Sequence, residues 1–390
     1  MTGNSFGRIF RITTCGESYA GAFRRKDIPE ALRGGLMVIV DGVPSGLKLT
    51  DEMIHEEMDK RRPGKSALDT PRQERDRAYI FSGVMENDIT TGAPVGILIP
   101  NSDMLEEQIE KHRAKRYTVR PGQATYTYYE KYGENTDWLG AGRASGRETA
   151  ARVAGGAVAK VVLDRLGIDV VGFITEIHGV KAGPVTYEAA RLNYCKNDLN
   201  CPDPDSIAPM IDEILKAKDA EDTVGGVVEI IARGVPPGLG EPVFDKLDAL
   251  IAHGLMSLGA VKGVEFGEGF GHTGMLGSES NDTPYVEGTT GKIRFKTNHA
   301  GGILGGISTG EEIRVRVAVK PTPTISMPQS TVDLKKRENI IAQFTTRNDP
   351  TICTRIFAVC EAMVRMVLLD AYYMAKGYEA VARMVREPLP

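Results

Sequence analysis

Short apolar runs separated by glycine pairs set the rhythm of this chain. Residues 36–40 (LMVIV) follow Gly34-Gly35, and residues 227–231 (VVEII) follow Gly225-Gly226. Two more runs, ending at Ile99 and Val319, follow Thr91-Gly92 and Thr309-Gly310. Runs of this length bounded by turn residues predict strands. The first pair leads into matching turns, DGVPSGL at 41–47 and GVPPGL at 234–239, whose Gly and Pro residues favour tight reversals. A helix is predicted after each, one capped by Thr50 or Asp51 and running through Arg61, the other over 242–258. A long helix then follows Ser145. Its counterpart follows Asp349 and runs to about Ala375, with Asp349 as cap and Pro350 in the first turn, where a missing N–H costs nothing. The pattern reads as two diverged halves, 1–167 and 223–378, joined by 168–222 within one domain spanning 1–390. Chance recurrence of short Gly/Pro turns is the alternative. The predicted class is α+β, long helices packed against antiparallel strands. Residues 193–207, rich in Asp, Asn, Pro and Cys, read as loop.

The opening of the first long helix carries the first chemical signal. Ser145 and Glu148 have the spacing of a capping box. Arg143 and Arg147 stand at that opening, where a helix N-terminus already favours anions. Gly155 and Gly156 each cost about 1 kcal/mol against Ala inside a helix. That cost predicts another backbone in close approach. A buried helix with a positive mouth facing an anionic ligand fits, and so does a plain core helix with two solvated arginines. Arg347 stands beside Asp349 as Arg143 stands beside Ser145. Residues 111–120 (KHRAKRYTVR) hold six basic side chains, either a solvated loop or a funnel for a phosphorylated substrate. Residues 298–310 (NHAGGILGGISTG) are a tight turn, or a place where backbone N–H groups meet a phosphate or a flat ring.

Composition narrows the class. A net charge of −4 in 390 residues gives no hint of nucleic-acid or membrane binding. The first residues lack the pattern of a signal peptide, and no apolar stretch reaches the length of a membrane span. Five scattered cysteines without CxxC spacing suit a reduced, cytoplasmic setting. The six histidines show no metal-ligand spacing, so no metal is expected.

Taken together, the pieces resemble the chorismate synthase family over nearly the whole length. They are Gly16-Glu17-Ser18, Asp41-Gly42-x-Pro44, Arg61-Arg62-Pro63-Gly64, Arg120-Pro121-Gly122, the stretch 142–152, residues 263–267, residues 297–308, residues 320–324 and Arg347-x-Asp349-Pro350. The resemblance implies a β-α-β sandwich with internal duplication, a homotetramer, and one reduced FMN per subunit. It implies a lyase of aromatic amino acid biosynthesis, in the shikimate pathway. The reaction is a 1,4-anti elimination of phosphate from 5-enolpyruvylshikimate 3-phosphate, giving chorismate. Family members reduce their flavin with NADPH or through a partner. Arg61, Arg62, Arg120, Arg147 and Arg347 are the expected substrate-gripping arginines, because guanidinium groups suit phosphate and carboxylate alike. Arg143, Ser145, Gly302, Gly305, Gly306, Lys320 and Thr324 resemble flavin-contacting positions. Asp349 matches an acidic residue near flavin N5, and Ser18 belongs to the catalytic set.

The departures from the family pattern are concentrated. Its GESHG reads GESYA here, so Tyr19 stands at a catalytic histidine position; its RPGHAD reads RPGQAT, so Gln123 stands at the other. Thr125 replaces an aspartate and Ala67 an arginine. About a dozen extra residues lie within 20–33. Gln123 cannot titrate, and a tyrosine's ordinary pKa is about 10 against about 6.5 for histidine. Three readings follow: a chorismate synthase with altered acids, a paralogue eliminating from another cyclic anion, or a non-catalytic flavin binder. The retained arginines argue against the last.

Overall fold

A computed structural model of the chain describes residues 3–19, 34–64, 66, 68–70, 76–101, 106–344 and 349–386. Arg347, Ala67 and the 20–33 insertion lie outside the described residues.

Two five-stranded antiparallel sheets enclose a layer of helices. The first sheet runs Ser5–Phe6, Arg11–Cys15, Gly35–Asp41, Val95–Pro100, Tyr79–Ser82 in spatial order. The second runs Val180–Lys181, Asp169–Ile177, Gly226–Arg233, Ile313–Val319, Val261–Phe266. Alternation places Leu36, Val38 and Val40 inward with nothing exposed, and Ile313, Val315 and Val317 do the same on the other side. Helix Thr149–Arg165 packs on the first sheet, and helix Cys353–Lys376 on the second. The two helices lie against each other, flanked by Asp51–Arg61 and Leu247–Met256. One hydrophobic cluster runs through both sheets and the helices between them. The molecule is the expected α+β sandwich, long helices between antiparallel sheets.

Several expectations change in detail. Residues 168–222 do more than link: Asp169–Ile177 sits in the second sheet at the place that Arg11–Cys15 takes in the first. Its run VVGFI is buried, and a doubly covered strand loses the alternation by which strands are recognised. Within 193–207, helix Pro204–Asp219 begins on an Asp203 cap, whose Oδ1 accepts the Asp205 N–H at 3.2 Å. Helix 242–258 shortens to Leu247–Met256, because Glu241 and Asp245 close a bridge first. Thr50 caps Asp51–Arg61 as expected, its hydroxyl accepting the Met53 N–H at 3.3 Å. Ser145 does not form a capping box. Its Oγ accepts the Arg147 N–H, Gly146–Glu148 is a 3₁₀ turn, and the α-helix proper starts at Thr149. Asp349 is not a cap either; the second long helix starts at Cys353 with Ile352 in the cap position.

The helix glycines behave as their cost demands. A Cβ at Gly156 would lie 2.4 Å from the Ala362 Cβ and 2.6 Å from its Cα, and one at Gly155 would lie 3.0 Å from Ile12. The buried charges beside this contact are paired. Arg365 Nη1 meets Glu57 Oε2 at 2.6 Å, and its Nη2 meets Glu361 Oε2 at 3.3 Å. Glu361 also accepts the Gly172 N–H and the Tyr194 hydroxyl, each at 2.6 Å. Helix Asp51–Arg61, helix Cys353–Lys376 and strand Asp169–Ile177 are thereby tied together. Burial alone would raise the Glu57 carboxyl, but Arg365 and Lys60 outweigh it and hold its pKa at about 2.

Two outcomes follow. Gly156→Ala, which elsewhere in a helix would gain about 1 kcal/mol, should here lose about 1–3 kcal/mol to overpacking. Urea midpoints at unchanged slope measure it; a rise in midpoint would mean the helices do not approach as described. Glu57→Gln should cost about 3–5 kcal/mol at neutral pH, since it leaves Arg365 short of a partner. Because the folded pKa lies below the unfolded one, that stabilisation is complete above about pH 4.3 and is lost as pH falls toward about 2. The stability gap between wild type and Glu57→Gln should narrow over that window, and a constant gap would contradict the pairing.

Candidate functional site

The N-terminal halves of both long helices open on one cleft of about 1610 Å³. Thr149 and Arg152 line it from the first helix, with Arg147 on the turn before it; Arg355 and Val359 line it from the second, with Asp349 ahead of that helix. The turn 256–262 forms another wall, and Lys320, Pro323 and Thr324 a third. The floor is apolar where Ile12, Ile356 and Met363 reach it.

Of the residues expected from sequence, Arg61, Arg120, Gln123, Arg143, Ser145, Arg147, Lys320, Thr324 and Asp349 all line this cleft. Their electrostatic states differ. Arg61 and Arg147 are nearly buried, and both grip Asp76: Arg61 Nη1 lies 2.6 Å from Oδ2, and Arg147 Nη1 pairs with Oδ1. Arg147 also donates to the Asn101 side chain at 3.3 Å and the Pro100 carbonyl at 3.2 Å. Two expected substrate arginines are therefore committed to one internal carboxylate. The trio adds about one positive charge to the cleft rather than two. Arg143 donates only to neutral oxygens, those of Gly16 at 3.0 Å, Thr14 Oγ1 at 2.8 Å and Asn4 at 3.1 Å, so its charge is undiminished. Arg120 has no hydrogen-bond or ion-pair partner among the described residues, and burial alone pulls its pKa below the usual arginine value. It stays a cation, and a partly dehydrated one.

Arg62 does not reach the cleft; it is a surface partner of Asp59 at 3.5 Å. Most of the basic run 111–120 is likewise paired, Lys111 with Glu107 at 2.6 Å and Arg113 with Glu110 at 2.6 Å. Gly302, Gly305 and Gly306 are not among the cleft's lining residues. They shape the hairpin Ile303–Leu304/Ile307–Ser308, where a Cβ on Gly306 would strike Lys246 at 2.3 Å. Ser18 lies behind the wall, 3.2 Å from Ser145 Oγ. Tyr19 is also behind it, 6 % exposed. Asp349 Oδ1 accepts the Thr70 N–H at 3.3 Å, and its other oxygen pairs with Arg355.

Gln123 accepts the Thr125 hydroxyl at 2.5 Å. Lys320 Nζ donates to the Gly122 carbonyl at 2.6 Å, fastening the 120–122 turn to the 320–324 segment. The Thr322 hydroxyl, on the cleft wall, is buried without a partner among the described residues. Asp137, also on the wall, has its pKa raised by burial despite the Leu139 N–H that it accepts. Sequence reading missed Asp76, Asn101, Arg355, Asp137 and the turn 256–262. Asn101 and Asp76 owe their roles to Arg147, 46 and 71 residues away, which no local spacing reveals. Among the described residues, no cluster of side chains suits a metal ion, and no helix is long and apolar enough to cross a membrane.

Comparison with known proteins agrees with this arrangement. A family model described as chorismate synthase matches residues 10–373. A protein of Acetivibrio thermocellus named chorismate synthase is 66 % identical over 384 residues, covering 98 % of both chains. One of Methanocella arvoryzae with the same name is 48 % identical over 370 residues, 95 % of this chain and 94 % of that one. A solved structure described as a crystal structure of chorismate synthase superposes with a TM-score of 0.71 at 29 % identity, covering 97 % of this chain and 96 % of that one. The chain belongs to the chorismate synthase family.

Proposed function

We propose that the cleft carries out the phosphate elimination of this family, converting 5-enolpyruvylshikimate 3-phosphate to chorismate with reduced FMN. The observation that carries the proposal is Arg120. A guanidinium half-buried beside a large cleft, with no anion of its own, is costly unless a ligand supplies one. A phosphorylated dicarboxylate does so. Arg143 adds a second whole charge, and the Arg61–Asp76–Arg147 trio adds a further net one. In this reading the trio positions the 146–147 turn, through the bond from Arg61 Nη2 to the Gly146 carbonyl at 3.4 Å, as much as it attracts substrate.

The residues present fit a flavin. The unpartnered Thr322 hydroxyl needs an acceptor or donor, and the apolar floor suits a flat ring. Arg143, Ser145, Lys320 and Thr324 would hold the cofactor. Bound and reduced, FMN supplies transient electron density to the breaking allylic C–O bond. The protein's share is to bind and orient the anion, to hold Asp349 against Arg355 as a fixed carboxylate, and to donate the Gln123 amide as a hydrogen bond. Several large apolar side chains are left exposed, including Phe244, Phe270 and Val243 at 89 %, 82 % and 72 %. They support assembly into the homotetramer that the family resemblance implies.

The test is anaerobic turnover with dithionite-reduced FMN, following chorismate absorbance and phosphate release. Turnover of about 1 s⁻¹ or more is expected. Arg120→Ala should lower kcat/KM roughly 10–100-fold, the worth of hydrogen bonds to a charged group. Flavin and substrate bound without product would mean that the cleft serves a different cyclic anion.

A further inference from the structure

Beside the cleft lies a smaller recess of about 210 Å³. The two spaces share Arg120, Gln123, Tyr128 and Asp137 in their walls, so they adjoin. Among the described residues a single imidazole lines the recess, that of His112, near the end of helix Glu106–Ala114. Its ring meets the ring of Tyr19 edge to face, centroids 5.4 Å apart at 72°. Tyr19 is itself fixed. It packs with Ile109, Leu139 and Trp138, and a Cβ on Gly140 would lie 2.5 Å from its ring. Tyr19 is thus a wall against which His112 is oriented.

We propose that the recess seats the phosphate that leaves the substrate, and that His112 donates the proton it carries away. The proposal rests on the elimination reading above. Arg120, unpaired among the described residues, supplies a cation at the junction of recess and cleft. Gln123, whose carbonyl is occupied by Thr125, has its NH₂ left to donate, but no proton to give. Among the described residues, the other cationic and phenolic groups that line the recess do not compete as acids. On its own helix Lys111 is paired with Glu107. In the following turn Lys115 donates to the Gln343 carbonyl and Arg116 pairs with Glu134 at 3.4 Å. Tyr128 and Tyr129 stand on helix Thr125–Tyr132, and burial raises the Tyr128 phenol further. Lysine, arginine and tyrosine all hold their protons to about pH 10 or beyond, whereas an imidazole releases its own near pH 6.5. Asp137 also lines the recess, and burial raises its carboxyl pKa.

The step balances. One C–H bond and one C–O bond of the substrate break and one C=C bond forms. The C–O electron pair leaves on the phosphate oxygen, which takes the His112 proton and departs as hydrogen phosphate. The proton lost at carbon is released to solvent, and solvent returns one to His112, so each turnover is proton-neutral.

His112→Gln keeps a hydrogen-bonding amide and removes the titration. Single-turnover elimination should slow about 10²–10⁴-fold, with KM changed only severalfold. The wild-type decline in rate as pH rises through the imidazole pKa should flatten. An unchanged rate with that limb intact overturns the proposal. Independently of turnover, ¹⁵N-histidine NMR of the wild-type protein with added inorganic phosphate should show the His112 pKa rising by about one pH unit. The signal is assigned by its loss in His112→Gln, or in His112→Asn should the first variant fail to fold. A His112 pKa that ignores phosphate overturns the recess as a phosphate seat. A wild type without turnover overturns the elimination reading itself, and the NMR titration then decides the recess alone.

Discussion

The sandwich depends on one contact, the crossing of the two long helices at Gly156 and Ala362. With 2.4 Å available to a Cβ at Gly156, the helix backbones meet almost without intervening side chain. Close approach raises the number of dispersion contacts per residue, and it has a geometric consequence. Each helix lies flat on its own sheet, so the separation of the helices sets the thickness of the molecule. It also sets how far apart their N-terminal ends stand, and the cleft is the space between those ends and the 256–262 and 320–324 segments. The size of the site is therefore set from within the core, by two small residues that do not themselves line it.

Charge inside the molecule divides into two kinds of work. Glu57, Arg365, Glu361 and Tyr194 satisfy one another and face no cavity among those described. They join three elements that hydrophobic burial alone would leave free to slide. Arg61, Asp76 and Arg147 do a similar task at the cleft wall. Breaking such a buried pair costs far more than its net stabilisation, so these arginines are poorly suited to release their carboxylate for a passing ligand. Arg120 and Arg143 meet no carboxylate among the described residues and can give their charge to a ligand without first giving up an internal one. A cluster of arginines in sequence is thus not a cluster of equal ligands.

How much was legible follows the same division. Strands announced by glycine pairs, the Thr50 cap and the close approach at Gly155 and Gly156 could be read locally, because each is a property of neighbouring residues. Asp169–Ile177 could not, since burial on both faces removes its alternation. Ser145 and Asp349 carried the spacing of α-helix caps, yet Ser145 caps only a 3₁₀ turn through the Arg147 N–H while bonding Ser18, and Asp349 is taken by the distant Thr70 N–H and by Arg355. Asp76 is one of several acidic residues in a polar stretch, with nothing in its spacing to link it to Arg61 and Arg147. The family motifs located the cleft residues well where the chain is continuous in space, as at 120–124 and 143–148. They placed Gly302, Gly305 and Gly306 with the cofactor, whereas these glycines build a hairpin whose tight turn explains them without a ligand.

The two substituted family positions take on a different meaning once placed. Tyr19 and Gln123 are 104 residues apart in sequence by their numbering, but both border His112, one through its ring and one through the shared recess. A tyrosine at 19 is too large and too buried to serve the cleft directly; an edge-to-face partner for an imidazole needs an aromatic ring there. A glutamine at 123 keeps a donor toward an anion without competing for its proton. Each change alone removes an acid, but together they leave a recess lined by one imidazole and by one guanidinium that is unpaired among the described residues. Proton donation needs a group that titrates near neutrality and a charge that holds the acceptor in reach, and these two side chains meet both conditions.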